Sequence, residues 1–515
     1  MIVLVDYASP SVFESTRDAA TLALATNLRR PVRFDGTVRE HGFNLRIALR
    51  ALGEAIWSND TWIAGLDALD PIITVHPDRI FFEAFSQDQS VYAALIVDPA
   101  VFEASGDTIF GTTNIDFTAW LWGALGEMRS GRRTRFRVGP EGFEVATAGA
   151  GGRFERKVDV PESWVRGFLQ VQGAMGLTGT RIEVRPIDLL AALRYLRYTK
   201  ARMSPRALRY EFDPGHDARL VLEPWEYVVP LVGAAHNYTE RKVTRVWGRR
   251  RLKLIEGLLP FAESVQVYLK GRALPSFYAV RLAGMTFLLG LSGFSEASFT
   301  SSGGFDLLQD TTADDALLPA ALDLLRREYH CSVGEVAAEL AIDEGRATRL
   351  LARLCRQGRV MFDVETRRYR HRELFAEPVD EAKYFPPDLR RELGARLLRE
   401  GRVTIETCYA QETTKTRQLK TPDGPVERQI TYRDWHVGGS VGEISEVEVV
   451  VNDSGSIIFG RCSCPFFDAN LLQQGPCEHI LALFQASAER RVDGQTSRPA
   501  VAADLAGEDG ETAVE

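Results

Sequence analysis

Four side chains of metal-binding type lie close together near the end of this 515-residue sequence. Cys462 and Cys464 are separated by one residue, and Cys477 and His479 repeat that spacing a short distance further on. Three sulfurs and one imidazole fit a tetrahedral zinc ion and leave no vacant position for water or substrate. The spacing therefore predicts a structural Zn2+ site that stabilises a fold. The alternative is a set of unrelated buried or redox cysteines.

The local sequence indicates how the two pairs of ligands meet. If residues Ser456 to Cys464 form a strand, side chains two residues apart point to the same face of it. Gly475 and Pro476 favour a turn, and the residues after the turn begin an apolar run with helical spacing. We therefore expect a strand and a helix to pack together, each supplying two ligands.

At these residues the chain resembles the SWIM zinc-finger family, whose pattern is Cys-x-Cys, a variable spacer and Cys-x-His. Residues 460–465 read Gly-Arg-Cys-Ser-Cys-Pro and residues 477–482 read Cys-Glu-His-Ile-Leu-Ala, both similar to the usual SWIM flanks. SWIM modules occur in DNA-transacting and ubiquitin-related proteins and are credited with binding DNA or protein. The resemblance thus implies a recognition module, and it does not name the target.

Length and charge limit the remaining possibilities. A chain of 515 residues exceeds a single core and predicts three or four domains. We expect a cytoplasmic protein without a membrane partner, because no signal peptide and no apolar run of membrane-spanning length is visible. The net charge of −8 argues against a protein that binds nucleic acid over its whole surface. Residues 493–515 are acidic and rich in Gly and Ala, which predicts a disordered tail.

Residues 313–375 predict a winged helix-turn-helix. A helix from Ala316 to Tyr329 precedes a second helix that Ser332 and Glu335 can cap. A third helix ends at Gly358, and a two-stranded hairpin follows it. Three helices and a hairpin in this order are typical of a DNA-binding winged helix, although such domains also dock proteins or act as spacers.

Arginines of the third helix and the hairpin are candidates for DNA contact, because the second helix of this motif enters the major groove. Arginine binds phosphate or forms bidentate hydrogen bonds with guanine. With one arginine of the zinc strand, the candidates are Arg346, Arg349, Arg353, Arg356, Arg367, Arg368, Arg370 and Arg461. The competing interpretation is a solvated arginine surface.

The first 312 residues show a repeat. Pro99, Pro161 and Pro224 each follow a strand-like segment and precede an aromatic residue, at spacings of 62 and 63 residues. The pattern predicts units of helix, strand and strand near 40–103, 104–166, 167–230 and 231–300. We expect a repeated α+β platform with helices on one face of antiparallel sheet.

The sequence therefore predicts an α+β protein with several domains. The platform (1–312) and the winged helix (313–375) are followed by a linker and helix (376–402), the SWIM zinc module of sheet and helix (403–492) and the tail (493–515).

Two basic stretches in the platform, at residues 129–137 and 241–253, and the tyrosines among arginines at 194–210 are secondary candidates for nucleic acid. Tyr195 and Tyr198 alternate with Arg194 and Arg197, and residues 241–253 contain seven Arg or Lys residues around Trp247. Aromatic side chains among arginines can stack on bases or accompany phosphate contacts. The alternative is a helix surface with half-buried tyrosines and solvated arginines.

No recognised catalytic motif is present, since the sequence lacks a P-loop, a dinucleotide glycine fingerprint and a serine elbow. We therefore expect a non-enzymatic, zinc-binding protein with no small-molecule substrate, and DNA as its first candidate target. The alternative is a protein-interaction scaffold. The resemblance to large bacterial SWIM proteins implies MoxR-type ATPase and von Willebrand A-domain partners for it.

Overall fold

The structure is a computed structural model of the full chain. It describes residues 11–15, 19–25, 32–57, 70–117, 119–128, 133–139, 162–201, 206–272, 274–293, 299, 315–375, 379, 381–384, 389–421, 424–452 and 457–492. The predicted tail at 493–515 lies outside these residues, and so does Pro161 of the predicted repeat. None of the described helices has the length and apolar character needed to span a bilayer.

The first part of the chain is built around an eight-stranded antiparallel sheet with the order β10-β15-β16-β17-β6-β5-β4-β8. Strands β5, β6 and β17 lie in its centre, and nearly all of their side chains are buried because both faces of the sheet are covered. Its strands are β4 (Ile72–Val75), β5 (Ile80–Phe85), β6 (Val91–Val97), β8 (Gly111–Asn114), β10 (Thr180–Val184), β15 (Ser264–Leu269), β16 (Ser276–Leu282) and β17 (Met285–Leu291).

Two smaller sheets flank the central one. The first has the order β1-β2-β9-β3-β7, with a parallel pairing of β2 and β9. The second has the order β13-β12-β11-β14 and is antiparallel throughout. Their strands are β1 (Val12–Ser15), β2 (Ala19–Ala25), β3 (Phe34–Val38), β7 (Phe102–Ala104), β9 (Arg133–Gly139), β11 (Leu208–Phe212), β12 (Arg219–Leu222), β13 (Tyr227–Pro230) and β14 (Lys242–Val246).

Helices cover the two faces of the central sheet. Helix α1 (Gly42–Trp57) buries Leu45, Leu49 and Leu52 against one face. Helix α3 (Glu162–Gly176) packs Phe168 on Phe85 and Tyr92 of the other face. Helices α2 (Ala119–Ala124) and α4 (Pro186–Tyr198) complete this part.

The order of elements differs from the predicted helix-strand-strand unit. One strand precedes the helix and three follow it in β3-α1-β4-β5-β6 and in β10-α4-β11-β12-β13. Strands β14 to β17 have the same order, with a 3-10 segment (Arg249–Ile255) in place of the helix. Pro99 begins a 3-10 turn, whereas Pro224 follows β12 within a turn, so the proline spacing does not mark equivalent structural positions.

Residues 315–375 contain α5 (Leu318–Glu328), α6 (Val333–Glu339), α7 (Glu344–Arg356), β19 (Val360–Asp363) and β20 (Arg368–His371). Ser332 and Glu335 form the predicted capping box at the start of α6. A short strand, β18 (His330–Cys331), adds to β20 and makes a three-stranded sheet. The interpretation of this unit as a winged helix-turn-helix stays a prediction.

This unit is attached to the eight-stranded sheet. Helix α7 and strand β19 pack against α3. The backbone N–H of Phe362 donates to Gln172 of α3 at 2.8 Å, and Nε2 of His76 donates to the carbonyl of His371 at 2.8 Å. The hairpin therefore belongs to the same packed body as the sheet.

The last part of the chain begins with two short helices, α8 (Glu381–Tyr384) and α9 (Leu389–Arg399). A four-stranded antiparallel sheet follows in the order β21-β22-β23-β24. Its strands are β21 (Val403–Thr421), β22 (Gly424–Val441), β23 (Ile444–Asn452) and β24 (Ile457–Cys462). Three helices end the described chain, and they are α10 (Pro465–Asn470), α11 (Glu478–Ala486) and α12 (Ala488–Val492).

Candidate functional site

The four predicted ligands meet at one end of the last sheet. Their sulfur and ring-nitrogen atoms all lie within 4.8 Å of one another, which is the separation expected for ligands of one metal ion. Cys462, Cys464 and Cys477 are buried, and the Nδ1 atom of His479 is shielded from solvent. The donor set therefore suits a closed tetrahedral metal site.

Local structure differs from the prediction on one side of this site. Strand β24 ends at Cys462, whereas the sequence predicted a strand through Cys464. Cys464 is instead the N-cap of α10, its Sγ accepts the N–H of Phe467 at 3.4 Å, and Pro465 occupies the first helical position. The predicted strand is thus two residues too long at this end, because proline at position 465 favours the start of a helix.

The second pair of ligands lies where the sequence predicted it. Cys477 is the N-cap of α11, and His479 lies in the first turn. Two of the three sulfurs consequently sit at helix N-termini, where the peptide dipoles favour negative charge.

The pKa values of the thiols indicate that the cluster requires a cation. A hydrogen bond with Cys462, together with burial, raises the pKa of the Cys477 thiol, and burial raises the pKa of Cys464. Buried thiolates this close to one another are unfavourable unless a cation compensates them. Only the thiolate form binds a metal strongly, so a divalent ion is the natural partner of this donor set.

Helix α9, which the sequence predicted as part of a linker, supports the site directly. It packs on α11, and Gly394 permits this approach, since a Cβ at that position would lie 3.0 Å from the carbonyl oxygen of Glu478. Arg390 donates to the carbonyls of Gln474 at 2.8 Å and Pro476 at 3.3 Å. This helix therefore fixes the loop that joins the two pairs of ligands.

One face of the sheet that carries Cys462 packs against α11. Trp435, Val437 and Val449 are buried in one core with Ile480 of α11. On the other face, the strand register places Tyr409, His436, Val450 and Phe459 in one row across all four strands. We call these four residues the aromatic row.

The aromatic row is partly open to solvent. Tyr409 stacks on His436 with a centroid distance of 5.1 Å and an interplanar angle of 6°, and Phe459 is 48% exposed. The flanking positions include two carboxylates, Asp434 and Glu448. Burial lowers the pKa of His436, and the nearby carboxylates of Asp434 and Glu448 partly oppose this effect. Arg461, a predicted DNA contact, is exposed and pairs with Glu448 in the strand register.

The hairpin arginines predicted to contact DNA have different surroundings from those expected. Arg370 is 1% exposed and donates to both carboxylate oxygens of Asp78 at 3.0 Å and to Asp363 at 2.9 Å. Arg368 bonds to Glu335 at 2.5 Å, and Arg367 is exposed. Arg370 is therefore corrected from a DNA contact to a structural residue, because it joins the hairpin to the central sheet.

The turn of the hairpin is bound to the same sheet. Glu365 accepts hydrogen bonds from Arg79 at 3.1 Å, from Arg281 at 3.0 Å and from Thr286 at 3.3 Å. Sequence reasoning did not detect this contact. Its partners lie about eighty or more residues from Glu365, and no local pattern identifies them.

The arginines of α7 are only partly accessible. Arg346, at the start of the helix, is exposed, while Arg349, Arg353 and Arg356 are half-buried. The Nε atoms of Arg353 and Arg356 are shielded from solvent. The structure thus leaves Arg346 and Arg367 as the most accessible members of the predicted DNA-contacting set in this unit.

Comparison with known families identifies the last module. Residues 447–488 match the SWIM zinc finger family. The resemblance predicted from the four ligands is confirmed, and these residues form a SWIM zinc finger. No curated protein sequence matches the chain.

Three solved structures show a weaker similarity. One is PCNA from Thermococcus kodakaraensis, at 12% identity and a TM-score of 0.34, covering 50% of this chain and 99% of that one. Proliferating Cellular Nuclear Antigen from Entamoeba histolytica has 10% identity and a TM-score of 0.32, covering 50% and 98%. A. fulgidus PCNA bound to the C-terminal region of FEN-1 has 10% identity and a TM-score of 0.33, also covering 50% and 98%.

Proposed function

We propose that this chain is a non-enzymatic recognition protein whose SWIM zinc finger holds a zinc ion and presents a sheet surface to a protein partner. Zinc is the metal that favours three thiolates and one imidazole in a tetrahedral site. With four protein ligands, no position is open for a reacting water. The ion would then act on folding, and function would depend on the surface that it stabilises.

The aromatic row is the observation that supports a protein partner. It crosses all four strands of the sheet, and Phe459, at the end of the row on β24, is 48% exposed. Aromatic side chains in such positions are typical of interface cores. The charged residues beside the row include Asp434 and Glu448, opposed by Arg461. This charge suits a partner with apolar and basic residues and repels phosphate.

A DNA-binding winged helix is the second candidate. Arg346 and Arg367 are exposed and support it. The attachment of the hairpin to the central sheet through Arg370 and Glu365 weighs against it, since the hairpin of a DNA-bound winged helix must reach the duplex. Arginine-rich winged helices that dock within their own protein match these contacts better.

The test uses the full chain and purified candidate partners, namely a MoxR-type ATPase and a von Willebrand A-domain protein from the same organism. We expect binding of at least one, and we expect Tyr409→Ser with Phe459→Ser to weaken it at least about tenfold. Phe261→Ser is the matched control, because Phe261 is also 48% exposed but lies in another part of the chain. Equal loss in both variants, or binding only to duplex DNA, would contradict the proposal.

A further inference from the structure

A groove lies between α1 and α4 on the surface of the first part of the chain, and the 3-10 segments around residues 249–261 close one side of it. Its volume is about 540 Å³. The floor contains apolar residues such as Leu190, Leu254 and Leu258, all of which are buried. The rim is charged, and it gathers residues from three separate segments of the chain.

Four cations and two carboxylates line this groove. The cations are Arg50, Arg194, Arg197 and Lys253, and all four are exposed. One carboxylate, Glu256, is half-buried and pairs with Arg197 at 3.2 Å, and the other is Glu54. The excess of positive charge contrasts with the net charge of −8 for the chain. A local positive field of this kind attracts polyanions despite an acidic total charge.

The position of Arg50 is set by its neighbours. The indole N–H of Trp122 donates to the carbonyl of Arg50 at 3.0 Å. The guanidinium lies against Gly126, since a Cβ on that residue would be 2.7 Å from Nη1. Glycine at position 126 therefore leaves the space that this side chain occupies, and one cation of the rim is held in place.

We propose that this groove binds the phosphodiester backbone of duplex DNA without reading the bases. Arginine and lysine make most phosphate contacts, whereas reading the bases requires side chains to reach base edges inside the DNA grooves. The described lining contains no aromatic and no amide side chain. The site is separate from the aromatic row and does not depend on the function proposed for it.

The experiment measures binding of mixed-sequence duplex DNA to the full chain by fluorescence anisotropy, from about 50 to about 200 mM salt. The groove variant carries Arg194→Gln, Arg197→Gln and Lys253→Gln. The matched control carries Arg39→Gln, Arg272→Gln and Arg396→Gln, which removes three exposed cations outside the groove. The two variants therefore have the same net charge.

We expect wild type and control to bind alike. The groove variant should bind at least about tenfold more weakly at low salt, and its slope of log K against log salt should fall by about 2 to 3. Equal weakening of both variants would overturn the proposal, because total charge would then explain the binding. Absence of binding by wild type would also overturn it.

Inorganic phosphate, added at the ionic strength of the chloride buffer, provides a further check. DNA binding should be the same in both salts, since a backbone site responds to ionic strength. Abolition of binding by phosphate alone would indicate a small-anion site and would overturn the proposal.

Discussion

Nη1 of Arg372 donates to Oε1 of Glu83 at 2.6 Å, and neither side chain has any exposed surface. Arg372 follows strand β20 of the hairpin, and Glu83 lies on β5 of the central sheet. The hydroxyl of Tyr92 donates to the same oxygen at 2.6 Å. This buried pair links two parts of the chain that sequence analysis assigned to different domains.

Removing one member of this pair should be costly. We expect Arg372→Met to lower the free energy of unfolding by about 3 to 5 kcal/mol, because the Glu83 carboxylate would remain buried without a cation. Glu83→Gln combined with Arg372→Met should cost clearly less than the sum of the single changes. Urea unfolding of the full chain, followed by tryptophan fluorescence, measures these differences.

An exposed ion pair with the same distance between nitrogen and oxygen provides the control. Arg433 lies 2.6 Å from Glu412, with side chains 52% and 53% exposed. Arg433→Met should cost less than about 1 kcal/mol, because solvent screens this pair. Similar costs at the two arginines would show that burial is not the reason for the effect.

Loss of the metal should unfold the last module and leave the first part of the chain folded. We expect Cys477→Ser, or a strong chelator, to remove amide protection from about residue 403 to residue 490, because binding of a structural metal is coupled to folding. Hydrogen exchange with mass spectrometry measures this, and metal analysis of wild type should give zinc.

Cys408→Ala is the matched control for metal loss. Cys408 is fully buried in the same sheet but does not belong to the ligand cluster. The variant should retain zinc. A metal-free wild type, or a Cys477→Ser protein as stable as wild type, would refute the metal assignment.

Acid should destabilise the contact between the hairpin and the central sheet. Burial, assisted by the charge of Arg370 and opposed by Asp78, lowers the pKa of His76 to about 4. Between pH 6.5 and 4 the unfolded chain binds more protons at this residue than the folded chain does. Stability is therefore present above pH 6.5 and is lost towards pH 4, by up to about 1.4 kcal/mol per pH unit. His76→Gln should reduce that slope, and an unchanged slope would exclude His76 as its source.

A buried lysine predicts a second pH dependence in a different range. Nζ of Lys270 donates to the carbonyls of Met175 and Leu177, both at 2.7 Å, and burial lowers its pKa to about 7. Between pH 7 and 10.5 the unfolded chain retains a proton that the folded chain has lost, so stability should rise with pH. Lys270→Met should flatten the curve in this range, as measured by urea unfolding at each pH. A curve that rises as steeply in the variant would show that other groups cause it.

The arginines of α7 should contribute little to any DNA binding. We expect Arg349→Ala with Arg353→Ala to leave the salt dependence of duplex binding unchanged, because both side chains are half-buried. Salt titration of anisotropy measures the slope, and Arg194→Gln with Arg197→Gln provides the comparison. If the slope of log K against log salt fell by about 2 in the α7 variant, the winged helix would again be the DNA-binding element.

Local patterns predicted some features well. The spacing of Cys462, Cys464, Cys477 and His479 identified the metal cluster, because short-range backbone geometry brings each pair together. The capping box at Ser332 was likewise predicted from two residues in sequence. Features that depend on three or four neighbouring residues are visible in a single sequence.

Long-range contacts were not predictable in this way. Arg370 is an arginine on the hairpin of a predicted winged helix, which made it a candidate DNA contact. Only the folded chain brings Asp78, which is 292 residues away, to its guanidinium. The period of about 63 residues does not mark equivalent structural positions, and the predicted units lacked strands such as β4 and β10. Strand β4 is buried on both faces and therefore lacks the alternation by which strands are recognised, whereas β10 alternates but is only five residues long.

The linkage between Arg370, Arg372 and the central sheet has a practical consequence for dissecting the chain. A fragment that begins near residue 313 would separate both arginines from Asp78 and Glu83, and would leave the charge of Arg372 buried or force the hairpin open. Failure of such a fragment to bind a target would reflect misfolding and say nothing about recognition. Dissection should therefore keep residues 1–375 together and separate only the SWIM module.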